Sequence, residues 1–195
     1  MAGLARLPKP APALRRTRRP FTPQEFLDLD DAAGWEMLDD GTLEERPMSV
    51  KSGWVTNRVV FTLMAAPGTQ TRGVVISDTG LQIFPDRPSR IPRADCGFIS
   101  FHRLDGGEDD GFLRRVPELL VEVVSPGDRF ERLEGKVAEY LAAGVSTVWV
   151  VRPLTRSVDV CRSDGTVIHL AGSDVIGGDS FLPDFRTPVS AFFPE

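Results

Sequence analysis

Three residues of this 195-residue chain stand where an ionisable group is costly, and together they outline one chemistry. Glu122 lies inside ELLVEVVS (118–125), a run otherwise apolar on both faces of a strand. A charge there needs a partner or a bound cation. Asp95 interrupts the apolar run IPRADCGFI, although Asp has low strand propensity. Lys136 falls on a helix expected over 128–143. At 100° per residue it lies about 60° from Leu133 and about 40° from Tyr140, so it edges the apolar face. Each has a plain alternative: a structural ion pair for Glu122, a local role for Asp95, a snorkelling stem for Lys136. Taken together, two carboxylates on neighbouring strands can hold a hard divalent cation through oxygen ligands. A lysine from the next helix can steady developing charge, and the cation can polarise a phosphate and acidify a bound water. That is the equipment of Mg²⁺-dependent phosphodiester hydrolysis.

Other chemistries lack their parts. There is no G-x-x-x-x-G-K-[ST], no G-x-G-x-x-G and no G-x-S-x-G. Cys96 and Cys161 have no second pair, which excludes a disulfide framework and a Cys-rich zinc site; both read as small buried side chains. His102 and His169 lie in separate segments without H-x-x-x-H spacing and read as structural or surface residues.

The elements that must position the three residues follow from patterning. The strand 118–125 is closed by Ser125-Pro126-Gly127 and read as central, covered on both faces. The helix 128–143 gathers Phe130, Leu133, Val137, Tyr140 and Leu141 on one face and ends at Gly144. STVWVVR is the next strand, so 118–151 predicts a right-handed strand–helix–strand crossover. Upstream, Thr22-Pro23-Gln24-Glu25 is a capping box opening a helix to about Ala33. WEML and TLEER flank Asp39-Asp40-Gly41 as a hairpin. A helix spans 52–66, and strands are expected at 73–77, 81–84 (after a turn at Asp78-Thr79-Gly80) and 94–101. A polar loop follows over 103–111. SVDVCR and TVIHL form a hairpin around Asp164-Gly165. The last 20 residues read as irregular, anchored by Phe181, Leu182, Phe185, Phe192 and Phe193. The expected fold is α/β, an α+β mixed sheet.

Composition sets the frame. With 41% hydrophobic and 26% charged residues the chain is an ordinary globular protein with a core of its own. No apolar run approaches a membrane span, and residues 1–20 lack the apolar core of a secretory leader, so a cytoplasmic protein is expected. Those 20 residues carry six basic groups and no acid, which turns the net charge of −5 into −11 over residues 21–195. Residues 1–20 read as a disordered tail or a basic arm for nucleic acid, and 21–195 as a single domain. An acidic body repels phosphate backbones unless its carboxylates hold divalent cations.

The string PELLVEVVSPGDRFERLEGKVAEYLAAGVSTVWVVRP resembles the signature of the Uma-type endonucleases. These are a domain-of-unknown-function group in the PD-(D/E)XK nuclease superfamily. WEMLDDGTLEERPMS, IPRADCGFI and GGDSFLPDFRTPVSAFF are also similar to that family, so the resemblance covers about residues 21–195. It implies a restriction-endonuclease-like core with flanking N-terminal and C-terminal hairpins. By the same resemblance Asp95 and Glu122 are the metal-binding acids, for Mg²⁺ or Mn²⁺. The superfamily lysine two positions after the second acid is replaced by Val124, and Lys136 takes its role. Glu45 matches an upstream acid near the site, and Glu36 another. Many members carry a His where Trp54 stands here, and Ala94 replaces a usual Pro. The implied function is a Mg²⁺-dependent DNA endonuclease acting as a homodimer, with DNA as partner and no membrane. The second reading is a nuclease fold that has lost chemistry and serves as a binding module. The third is a dimerisation domain using the C-terminal aromatics.

Overall fold

The computed structural model describes residues 15–30, 32–46, 48–105 and 111–194. In chain order the elements are α1 (Pro23–Leu27), β1 (Trp35–Met37), β2 (Leu43–Glu45), α2 (Val50–Ala65) and α3 (Thr69–Arg72). Next come β3 (Gly73–Gly80), β4 (Arg93–Ser100), α4 (Phe101–Leu104), β5 (Leu119–Val123) and α5 (Phe130–Ala142). The chain closes with β6 (Thr147–Arg152), β7 (Ser157–Arg162), β8 (Val167–Ala171), β9 (Val175–Gly178) and β10 (Leu182–Pro188). A six-stranded sheet in the order β3-β4-β5-β6-β7-β8 forms the centre, flanked by the two-stranded β1-β2 and β9-β10 hairpins. The mixed α/β architecture with flanking hairpins is the one expected.

Among the described strands only β5 and β6 pair in parallel, and α5 supplies the crossover between them, as the sequence pattern demands. Every residue of β5 is buried, which is why Leu119 to Val123 read as a continuous apolar run with one acid. One face of the sheet packs α2 and the C-terminal segment around Trp149; the other packs α5 through Leu133, Val137 and Tyr140. A third cluster beneath the first hairpin joins Phe26, Met37, Leu43, Ile91 and Phe112.

Several local expectations need correction. α1 is a single capped turn, with the Thr22/Glu25 box present, because its buried anchor is Phe26 alone. Residues 73–80 form one strand: Asp78 takes a left-handed φ of 44° and bends the chain without reversing it. A side chain at Gly80 would meet Phe112 Cδ1 at 2.6 Å, so the glycine there serves close packing and no turn. Residues 81–84 are not a strand, and 101–104 form a short helix. Of the tail, residues 1–14 lie outside the described residues. Arg15 to Thr17 run beside β2, with Thr17 N donating to Leu43 O at 2.9 Å and Glu45 N to Arg15 O at 2.8 Å. Residues 15–17 are therefore tied to the N-terminal hairpin.

The C-terminal segment is a hairpin and a 3₁₀ turn, not irregular chain. Leu182, Phe185, Phe192 and Phe193 are buried in the core, with Phe185 and Phe192 against the Trp149 ring. These side chains are part of the core, and Phe181, half-buried, packs against the same cluster. The hairpin around Asp164-Gly165 extends the central sheet as β7 and β8. No helix among the described residues is long and apolar enough to cross a membrane.

Candidate metal centre

Asp95 and Glu122 sit on the adjacent antiparallel strands β4 and β5, one step beyond the Cys96–Val121 pair. This register puts both carboxylates on the face covered by α5. Asp95 Oδ2 accepts a hydrogen bond from Val123 N at 2.6 Å, which ties its carboxylate to the neighbouring strand. Both side chains are only 4% exposed.

Lys136 and Tyr140, one turn apart on α5, reach down to the same acid. Lys136 Nζ lies 3.0 Å from Glu122 Oε1 and donates to Arg93 O at 2.6 Å; Tyr140 Oη donates to Glu122 Oε1 at 3.0 Å. The helical spacing thus places Lys136 at the site, but its ammonium is turned inward and is 6% exposed. Glu36 of β1 completes the far side, with Oε2 3.7 Å from Lys136 Nζ and Oε1 paired with Arg132.

Arg46, which sequence reasoning missed, lies between the acids. Its Nη2 is 3.3 Å from Asp95 Oδ1 and 3.3 Å from Glu122 Oε2, and its Nη1 donates to Arg93 O at 2.6 Å. Arg46 follows β2 directly, at the end of the TLEER segment, whose hairpin reading does not single it out, and its partners are 49 and 76 positions away. No local signal marks it.

Glu45 is not brought to the cluster: its carboxylate pairs with Arg15 at 3.5 Å. Its neighbour Glu44 is directly opposite Glu36 in the hairpin register and shares Arg132 with it. Alternation along a three-residue strand decides the matter, since adjacent residues face opposite sides.

The electrostatics follow from burial against this ring of charges. Burial alone would raise the Glu36 carboxyl, but Lys136, Arg46, Arg90 and Arg132 pull it from 4.5 down to about 2. Glu122 ends above the ordinary carboxylate range, because burial and the Asp95 charge outweigh Lys136 and Arg46. Burial works against the charge on Arg46, but Glu122, Asp95 and Glu36 hold its guanidinium well above its ordinary value. Tyr140 is pushed well up by burial and by the Glu122 charge, so it serves as a hydrogen-bond donor.

The cluster lies at the side of a cleft of about 1060 Å³, where Asp95, Arg46, Glu44, Asp78, Arg129 and Arg132 are among the lining residues. Glu122, Lys136 and Glu36 lie behind that lining. Ser52 Oγ, near the start of α2, accepts from Ser125 Oγ at 2.9 Å and donates to Val124 O at 3.3 Å, fixing the cleft wall to the end of β5. Trp54 is 53% exposed and outside the lining.

The donor chemistry suits a hard cation. Asp95 Oδ1 and Glu122 Oε2 converge on one nitrogen of Arg46, a position already selected for positive charge. Mg²⁺ commonly takes one or two carboxylates and completes its shell with water and phosphate oxygens. Among the described residues no group of three or more His, Cys, Asp or Glu could hold a metal, so the protein offers these two carboxylates and no fuller cage.

The comparisons agree with this fold. Residues 23–190 match the Uma2 family, described as "Putative restriction endonuclease". No curated protein matches the chain. A crystal structure described as a putative nuclease belonging to DUF820, from Anabaena variabilis ATCC 29413, superposes with a TM-score of 0.74 at 18% identity. The match covers 89% of this chain and 98% of that one. Since the family match spans nearly all of the domain that carries the two acids, this chain belongs to the Uma2 family.

Proposed function

We propose that this protein is a divalent-cation-dependent DNA endonuclease, with Asp95 and Glu122 holding Mg²⁺ or Mn²⁺ in the cleft. The observation that carries the reading is the convergence of two buried carboxylates, from adjacent strands, on one point 3.3 Å from each. When bound, such a cation polarises a phosphate oxygen and supplies an activated water. Asp95 presents Oδ1 to the cleft because Val123 N holds its other oxygen. Glu122 is kept in place by Tyr140 and Lys136 on Oε1, while its Oε2 accepts from Lys136 Nζ at 3.2 Å and from Arg46 Nη2 at 3.3 Å. Lys136 acts as a positioning residue: its ammonium favours ionised Glu122 and adds positive potential beneath the cleft floor. Arg129 gives the cleft a cationic group for a phosphodiester, although Glu44, Asp78, Asp128 and Glu131 share the same lining, so a bound cation would be needed to offset their charge. The family assignment supports the nuclease reading, as does the homology of fold.

A second reading has one observation in its favour. A guanidinium seated between the acids satisfies them without a metal, as expected of a nuclease fold retained for binding. The two readings separate on supercoiled plasmid incubated with Mg²⁺ or Mn²⁺. The nuclease reading expects nicking by the wild type, lost in Asp95→Asn. Intact plasmid with both proteins, accompanied by metal-independent DNA binding, selects the binding module.

A further inference from the structure

We propose that Arg46 is a built-in counter-cation that occupies the metal position and must leave before a divalent ion can enter. The inference rests on Asp95 and Glu122 being the cation ligands. It explains a feature that the family resemblance does not assign. Each acid has one oxygen fastened by the protein: Asp95 Oδ2 by Val123 N, and Glu122 Oε1 by Tyr140 and Lys136. The other oxygen of each, Asp95 Oδ1 and Glu122 Oε2, is held by the same atom, Arg46 Nη2, at 3.3 Å, with Lys136 Nζ a second donor to Glu122 Oε2 at 3.2 Å. The oxygens a cation would use are therefore those the guanidinium uses.

Arg46 is also the member of the cluster placed to move. Its side chain is 23% exposed and lines the cleft, whereas the two acids are 4% exposed. Two adjacent buried carboxylates repel each other, and removal of one member of a buried charge cluster is strongly destabilising. A resident guanidinium removes that strain while the divalent ion is absent. The contacts to the acids are long for charge-assisted bonds, which usually lie near 2.7–2.9 Å, so they are weaker than an ideal bidentate fork. The anchor that remains when the acids are released is the 2.6 Å bond from Nη1 to Arg93 O. Occupation by Arg46 and by a divalent ion is mutually exclusive. Divalent affinity is thereby lowered, and metal binding is coupled to movement of the Arg46 side chain.

The test is Mn²⁺ titration by calorimetry into the full-length wild type, Arg46→Gln and the Arg46→Gln/Asp95→Asn double variant. The proposal expects Arg46→Gln to bind at least tenfold more tightly than wild type, and the double variant to lose that gain. The Arg46→Gln melting temperature should fall below wild type without Mn²⁺ and recover most of the difference with it. Equal or weaker binding by Arg46→Gln beside measurable wild-type binding overturns the role of Arg46 and leaves the Asp95/Glu122 site standing. No binding by wild type or Arg46→Gln overturns both. Should Arg46→Gln fail to fold, guanidinium ¹⁵N spectra of the wild type decide the point. Saturating Mg²⁺ should release hindered rotation of the Arg46 Nη groups, and an unchanged Arg46 signal overturns the proposal.

Discussion

Asp95 Oδ2 and Val123 N are 2.6 Å apart, which binds the acid of β4 to the residue that follows Glu122 on β5. One hydrogen bond thus fixes the spacing of the two carboxylates to the sheet itself. The pair is as rigid as the strands that carry it, and a cation site built on it needs no ordering of loops.

The depressed Glu36 carboxyl makes stability depend on acid. Its folded-state value of about 2 lies below the ordinary 4.5, so its contribution is complete above the ordinary value and is lost as pH falls towards 2. The size implied is about 3 kcal/mol, from about 1.36 kcal/mol per unit. Thermal melts across pH 2–7 should show the wild type losing stability in that window. Glu36→Gln should start lower at neutral pH and fall less steeply. Parallel curves would mean that Glu36 is not the group responsible.

Arg132 of α5 is shared by Glu36 of β1 and Glu44 of β2, so one side chain docks the N-terminal hairpin onto the central domain. Arg132→Met should loosen that hairpin while the six-stranded sheet stays intact. Hydrogen exchange would then accelerate at residues 35–37 and 43–45 and remain slow in β5 and β6. Uniform acceleration would argue for global destabilisation.

Tyr140 offers a small, clean perturbation. Its hydroxyl donates to Glu122 Oε1 from a fully buried position, and bonds to charged groups contribute about 1.5–3 kcal/mol. Tyr140→Phe should lower stability by that order in urea unfolding, with an unchanged slope. No loss would mean that Glu122 is already satisfied by Lys136 and Arg46.

Phe185 tests the C-terminal hairpin. It is 2% exposed, with its ring centroid 5.7 Å from that of Trp149. Phe185→Ala should cost about 3–5 kcal/mol, the range for a large core aromatic. A loss below 1 kcal/mol would show that the hairpin is dispensable to the core.

What the sequence revealed, and what it hid, follows the range of the interactions. β5, α5 and β6 were legible because burial on both faces and a 3.6-residue period leave strong local patterns. Glu122, Asp95 and Lys136 stood out as ionisable residues within those patterns. The choice between Glu44 and Glu45 depends on the register of a three-residue hairpin, and one step reverses the face. Arg46 has no pattern of its own, and its role exists only through contacts 49 and 76 positions away. Asp78-Thr79-Gly80 looked like a turn from its residue types, and Asp78 does take a left-handed φ, yet pairing with β4 continues through it. The C-terminal strands were hidden by brevity and by Gly and Pro at their ends.

Calorimetric titration of Mn²⁺ into the wild type and Asp95→Asn tests the central claim most directly. Asp95→Asn preserves the shape of the side chain and an oxygen for Val123 N, so the fold should survive for comparison. The account predicts a saturable, one-site heat for the wild type that is absent from Asp95→Asn. The same heat from both proteins, or none from either, would contradict a cation shared by Asp95 and Glu122.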